Sequence, residues 1–192
     1  MYCKYCGCET SENATFCHKC GAFIEIQEGG TPFNFNNFSS DGVTSDDLRL
    51  FVGIDNLHYY MEKWQKYMDD ENSLSPSWNW AAFLFGFLWL AYRKMYLLAF
   101  LAIPINFISI LVNSSLFTSI ISWSLCFLLA LFGNKLYFRH SKNKIKKIKE
   151  KNYEDKILEN KILNRGGTSL GALAAYILTC FLFAFLLASF QI

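Results

Sequence analysis

Apolar residues in this chain are sorted along the sequence: they gather between Trp78 and Gly133 and again from Leu170 to the C-terminus, whereas the first 77 residues and the stretch from Asn134 to Gly167 are polar. A soluble domain interleaves apolar and polar residues at helix or strand period, so blocks of this length read as membrane segments separated by loops. Four stretches stand out, 78–92 with 15 residues, 95–112 with 18, 116–133 with 18 and 170–190 with 21. At about 1.5 Å per residue the first reaches about 22 Å, short of the roughly 30 Å hydrocarbon core, while the other three can cross it. Those three contain no Asp, Glu, Lys, Arg or His, the residues that usually mark ion and proton paths.

The net charge of +2 constrains little, but its layout does. Between Asn134 and Gly167 stand eleven lysines and arginines against four acids, so this basic loop is expected on the cytosolic side. It is read as a long helix or helical hairpin near the inner leaflet, open to anionic lipid headgroups, the alternative being a solvated loop that only fixes topology. A basic start followed by an apolar run is missing from residues 1–24, which places insertion on an internal segment.

Those residues instead hold two knuckles, Cys3-Lys-Tyr-Cys6-Gly7 and Cys17-His-Lys-Cys20-Gly21. Two thiolates separated by two residues grip one cation, and the glycine that follows permits the tight turn. Cys3, Cys6, Cys17 and Cys20 are therefore the expected ligands of one structural Zn2+, closed to water, in a ribbon over residues 1–24 whose folding free energy comes from the metal. Paired disulfides are the alternative and need an oxidising compartment. Cys8 is read as a spare thiol and His18 as a solvent-facing residue. With Lys4 and Lys19 nearly alone as basic groups, no nucleic-acid contact is expected.

Thiolate ligands and the basic loop share the reducing side, so an even number of crossings must separate them. Residues 78–92 are accordingly read as a re-entrant or interfacial helix, its Trp78, Trp80, Trp89 and Tyr92 at headgroup level. Segments 95–112, 116–133 and 170–190 are read as transmembrane helices, with the N-terminus cytoplasmic. Residues 25–45 are read as a flexible linker rich in Gly, Asn and Ser. Residues 46–70 are read as amphipathic pre-membrane helices: Ser45 caps the first, Gly53 interrupts, and Leu57, Tyr60, Met61, Trp64, Tyr67 and Met68 form one apolar face. Thr168 or Ser169 is expected to cap the last helix.

The runs Phe51 to Tyr60, Ser77-Trp-Asn-Trp through Tyr92-Arg-Lys-Met-Tyr96, and Gly133-Asn-Lys-Leu-Tyr-Phe-Arg-His140 resemble an uncharacterised family of small bacterial membrane proteins, often headed by a zinc ribbon. Typical members place a proline after the glycine at position 86, where this chain has Phe87. The resemblance covers about residues 48–190 and implies a multipass protein of the bacterial inner membrane, with no catalytic residues to carry over.

The expectation is a mainly α-helical integral membrane protein with a small N-terminal zinc ribbon, working as an interaction or regulatory module that recruits a cytosolic partner protein. The alternative is a subunit of a small transporter or channel. An enzyme is not expected, because His18, His58 and His140 are scattered and lack a recognised catalytic pairing. A homo-oligomer fits either reading.

Overall fold

A computed structural model describes residues 8–11, 39–111 and 115–190. The described residues form a mainly helical protein with one small hairpin. The chain divides into two compact units, residues 1–73 with 141–166 and residues 74–140 with 167–192.

The first unit opens with strands β1 (Ser39–Ser40) and β2 (Val43–Thr44), paired antiparallel with Ser39 opposite Thr44 and Ser40 opposite Val43. Asp41 and Gly42 make the two-residue loop at φ 54° and 76°. Asp-Gly with positive φ at both positions suits the right-handed twist of a tight hairpin, so residues 39–44, within the stretch read as linker, form a hairpin instead.

Helix α1 (Ser45–Val52) begins in a capping box: the Asp47 amide donates to Thr44 Oγ1, and the Thr44 amide donates to the Asp47 carboxylate. The cap is thus Thr44, and Ser45, expected in that role, is the first helical residue. Gly53, at φ 82°, ends the helix, and a 3-10 turn (Ile54–Asn56) leads into α2 (Leu57–Asp69). Leu57, Tyr60, Met61, Trp64 and Tyr67 of α2 are buried, as are Val43, Leu48, Phe51 and Val52 before them and Ile145 and Ile162 from the C-terminal part of the unit.

Ile162 belongs to α7 (Asp155–Arg165), which packs on α1. Gly166 makes this approach feasible, because a Cβ there would stand 1.9 Å from the Phe51 carbonyl oxygen.

In the second unit, residues 78–92 form two short helices, α3 (Trp80–Phe85) and α4 (Phe87–Tyr92), broken at Gly86 with φ 50° and ψ −121°. A side chain is strained in that conformation, so the break follows from Gly86 itself and needs no proline at position 87. Asn79 caps α3 by accepting from the Ala82 amide. Helix α5 (Tyr96–Leu111) contains Pro104, and α4, α5 and α8 (Leu170–Phe190) pack on one another. Ser169 caps α8, its Oγ accepting from the Ala172 amide, and its own amide donates to the Tyr92 carbonyl.

Helix α6 runs from Ser115 to Lys149 without interruption and supplies residues to both units. The expected boundary at Gly133 between a membrane span and a basic loop is therefore a change of side chains along one helix. Gly133 serves close packing, since a Cβ there would meet Ala82 at 3.3 Å and Trp89 at 3.4 Å.

Candidate functional site

The surface of the second unit departs most from that of a water-soluble domain. Leu84 and Phe85 on α3, Leu97 and Phe100 on α5, Trp123, Phe127 and Phe132 on α6, and Phe181 and Phe185 on α8 are all exposed, Phe181 at 71%. Soluble monomers rarely expose contiguous apolar patches beyond a few hundred Å². Among the described residues one helix, Ser119–Lys149, is long and apolar enough to cross a membrane alone. Only 22% of its apolar window is buried, which is unlike the central helix of a soluble core. A second segment qualifies only as a pair of helices joined at a break, Asp155–Arg165 with Leu170–Leu186. Between α3 and α6 an aromatic cluster forms, in which Trp78 lies 5.3 Å from Trp80, 5.4 Å from Phe83 and 5.5 Å from Phe127 between ring centroids.

Beneath this surface lies a polar knot. The Ser77 and Asn79 amides donate to the Leu131 and Ala130 carbonyls of α6 at 2.9 and 2.8 Å. Asn79 Nδ2 donates to Asn134 Oδ1 at 2.8 Å, and Asn134 Nδ2 donates to Ser77 Oγ at 3.0 Å and to the Ser77 carbonyl at 3.2 Å. Both amides are buried and bonded, as an apolar setting demands. The knot fastens the segment leading into the broken helix to α6, which gives the Ser-Trp-Asn-Trp and Gly-Asn runs a shared structural purpose. The Tyr-Arg-Lys-Met run has another. Arg93 is buried with its guanidinium 5.2 Å from the Tyr137 ring centroid, Lys94 turns the chain at φ 59°, and Met95 is buried. Trp89 meets the same Tyr137 ring edge-on at 6.2 Å. A cation over an aromatic face away from water is a stabilising contact.

In the first unit, lysines of α6 meet carboxylates. Lys142, with only 8% of its side chain exposed, donates to Glu71 Oε1 at 2.6 Å and Ser40 Oγ at 2.9 Å, and pairs with Asp41 at 3.1 Å. Lys146 pairs with Asp41 at 3.5 Å, and Lys149 with the Asp47 carboxylate of the capping box. The Lys142 bond and charge, with Lys146 beside it, hold the Asp41 carboxyl below its ordinary value. For Glu71, burial pushes upward, but the bonds from Lys142 and Ser40 prevail and the pKa is lowered. Lys142 is raised, its burial outweighed by Glu71 and Asp41. Three cations of the basic loop are thus engaged within the protein.

The four expected zinc ligands, Cys3, Cys6, Cys17 and Cys20, lie outside the described residues, as do His18 and the Phe33, Phe35 and Phe38 rings of the linker. Cys8 is half-buried and in no disulfide. Among the described residues no group of three or more His, Cys, Asp or Glu is placed to hold a metal. Cys126 and Cys180, on α6 and α8, are both half-buried. The polar knot and the lysine pairs escaped sequence reasoning, because their partners lie 55 to 105 residues apart. The Asp-Gly turn beside Asp41 was the one local signal.

Fold and site together define a mainly helical protein with one unit of ordinary core and one unit whose outside is apolar. The model of a family described as "Protein of unknown function (DUF2628)" matches residues 42–142, more than half of the chain, and the chain belongs to that family. The matched residues include the hairpin loop from Gly42, the polar knot and Lys142. Comparison with curated proteins and with solved structures found no match.

Proposed function

We propose that this chain is a multipass protein of the bacterial inner membrane whose N-terminal zinc ribbon, held on a tether in the cytoplasm, recruits a cytosolic partner protein. The observation that carries the anchorage is the exposed apolar surface of the second unit, spread over α3, α5, α6 and α8. Lipid is the solvent in which such a surface is stable, and the buried, hydrogen-bonded knot beneath it is how polar groups are accommodated there. Segments α3 and α4, six residues each and about 9 Å long, suit a re-entrant or interfacial element.

Recruitment rests on the sequence of residues 1–24. Four thiolates around one zinc leave no open position for chemistry, and a metal-stapled domain on a flexible chain raises the local concentration of whatever it binds. Purified protein is expected to hold one zinc per chain, lost when Cys3 and Cys17 are replaced by serine. Crosslinking in cells, with the full chain and with residues 1–24 removed, tests recruitment directly. A partner set that shrinks on removal supports it, and identical sets would end it.

A further inference from the structure

Within the second unit, alternating steps of four and three residues along α6 join Leu116, Ile120, Trp123 and Phe127 to Ala130 and Asn134 in one stripe. That spacing, 3.5 residues on average, keeps a row of side chains on one side of a helix and is the spacing of a helix–helix seam. The two halves of the stripe differ. Ala130 and Asn134 are 0% exposed, beneath residues 77–79, whose hydrogen bonds run to Ala130, Leu131 and Asn134. Leu116, Ile120, Trp123 and Phe127 are between 50% and 77% exposed. The chain thus packs on the second half of the stripe and leaves the first half, about 17 Å of helix, open.

Lipid suits three of the four open side chains and not the fourth. The apolar block 116–133 has its midpoint between residues 124 and 125, so Trp123 stands about 2 Å from the middle of the span. Indoles settle at headgroup level, where the N–H finds an acceptor, and hydrocarbon offers none. A hydroxyl can return to its own helix, as Thr179 and Ser189 of α8 do by donating to the carbonyl four residues back, but an indole cannot. Ser119 and Ser124, both exposed, border the open stripe at about 70° on either side. Small hydroxyl side chains there admit a second helix closely and offer it acceptors.

Depth and charge select the occupant. All copies of this chain enter the bilayer in one direction, so a two-fold axis along the membrane normal brings Trp123 of one copy to the level of the serines of the next. The second unit contains no Asp or Glu to draw a basic partner, and the open stripe carries no cation to draw an acidic one. Lys135 and Arg139 lie about 90° and 130° round α6 from its middle, so two copies meet there without opposing their charges.

We infer that the chain pairs with a second copy of itself through the open half of this stripe, α6 against α6, with Trp123 at the centre. This rests on the membrane anchorage proposed above and assigns one face of the anchored unit to protein instead of lipid.

The test places photoreactive benzoyl-phenylalanine at Trp123, Phe127 or Leu128 of the full chain in cell membranes. Leu128 is as exposed as Phe127, 50% each, but lies about 110° round from the middle of the stripe. Irradiation is expected to give a product of twice the chain mass from positions 123 and 127 and none from 128. In lipid vesicles, energy transfer between dye-labelled chains diluted with lipid measures the strength of pairing. Trp123→Ala should weaken it by roughly tenfold, the effect of removing a central aromatic anchor, and Leu128→Ala by less than about twofold. Trp123→Phe, which keeps a ring and deletes the N–H, should weaken it by roughly threefold and serves where the alanine variant loses its helical circular dichroism. Products with lipid alone, products with a different protein, equal yields from all three positions, or pairing unmoved by the Trp123 variants each overturn the inference. Release of the wild-type chain by alkaline carbonate sinks the anchorage as well, whereas a chain that resists release and stays single at every dilution sinks only the pairing.

Discussion

Trp64 and Trp123 show how differently the two units treat one kind of side chain. Trp64, on α2, is 0% exposed, its ring 5.4 Å from that of Tyr60 between centroids. Trp123, on α6, is 66% exposed, and in its unit the polar groups are inside: Ser77, Asn79, Asn134 and Arg93 are all buried. The first arrangement minimises apolar area in water. The second does so only if its surroundings are themselves apolar, and then the hydrophobic driving force between its helices is gone and packing with hydrogen bonds must hold it.

That contrast predicts opposite sensitivities, the largest at the tryptophans themselves. Trp64→Ala should destabilise the first unit by about 4 kcal/mol, the loss expected for emptying a large buried site. Trp123→Ala should cost about 1 kcal/mol, confined to its ring contact with Phe83 at 6.1 Å. Denaturant unfolding of the full chain in detergent micelles, with hydrogen exchange reporting each unit separately, measures both. Equal losses would mean that Trp123 is buried within its own unit and that the units do not differ as described.

The next effect sharpens the comparison from the polar side. Asn134→Ala leaves Asn79 and Ser77 without their buried partner and should cost about 2 kcal/mol. Exchange protection should fall at residues 77–83 and stay unchanged in α1 and α2. A loss spread over both units would show that the knot also stabilises the first.

How much of this could be read from the chain beforehand depends on the range of the interactions. The mainly helical character and the family resemblance were legible, because period and motif are local properties. Of the apolar face read on α2, Leu57, Tyr60, Met61, Trp64 and Tyr67 are buried, while Met68 is half-buried. Other features were hidden for definable reasons. The run from Phe132 to Lys135 looks like the end of a span because composition changes there, yet backbone hydrogen bonding does not follow composition, and Gly133 sits in the helix to admit Ala82 and Trp89. Ser45, followed by two acids, was read as the cap, and only the chain direction entering from the hairpin makes Thr44 the cap instead. The Asn79 to Asn134 bond has no local trace at all. The zinc ligands belong to a motif that carries its own geometry, and they lie outside the described residues.

The smallest expected effect concerns the lysine pairs of the first unit, where Lys142 is buried but its partners Asp41 and Glu71 remain 52% and 37% exposed at their side chains. Lys142→Met should cost about 1 kcal/mol, since an ion pair whose carboxylates stay partly in water gains little over its hydrated components. Its signature is the pH dependence. Asp41 and Glu71 have lowered pKa values, so their contribution is complete above about pH 4 and is lost as pH falls through the lowered values. Lys142 has a raised pKa, so its contribution is complete below about pH 10 and is lost as pH rises through the raised value. The wild-type first unit should therefore show a stability plateau between about pH 5 and pH 10 and lose stability on the acid side. In Lys142→Met the acid-side slope should flatten, because the two carboxylates then titrate nearer their ordinary values in both states. An unaltered slope would place the acid sensitivity elsewhere and leave Lys142 as a packing residue, its aliphatic stem rather than its charge holding the hairpin to α6.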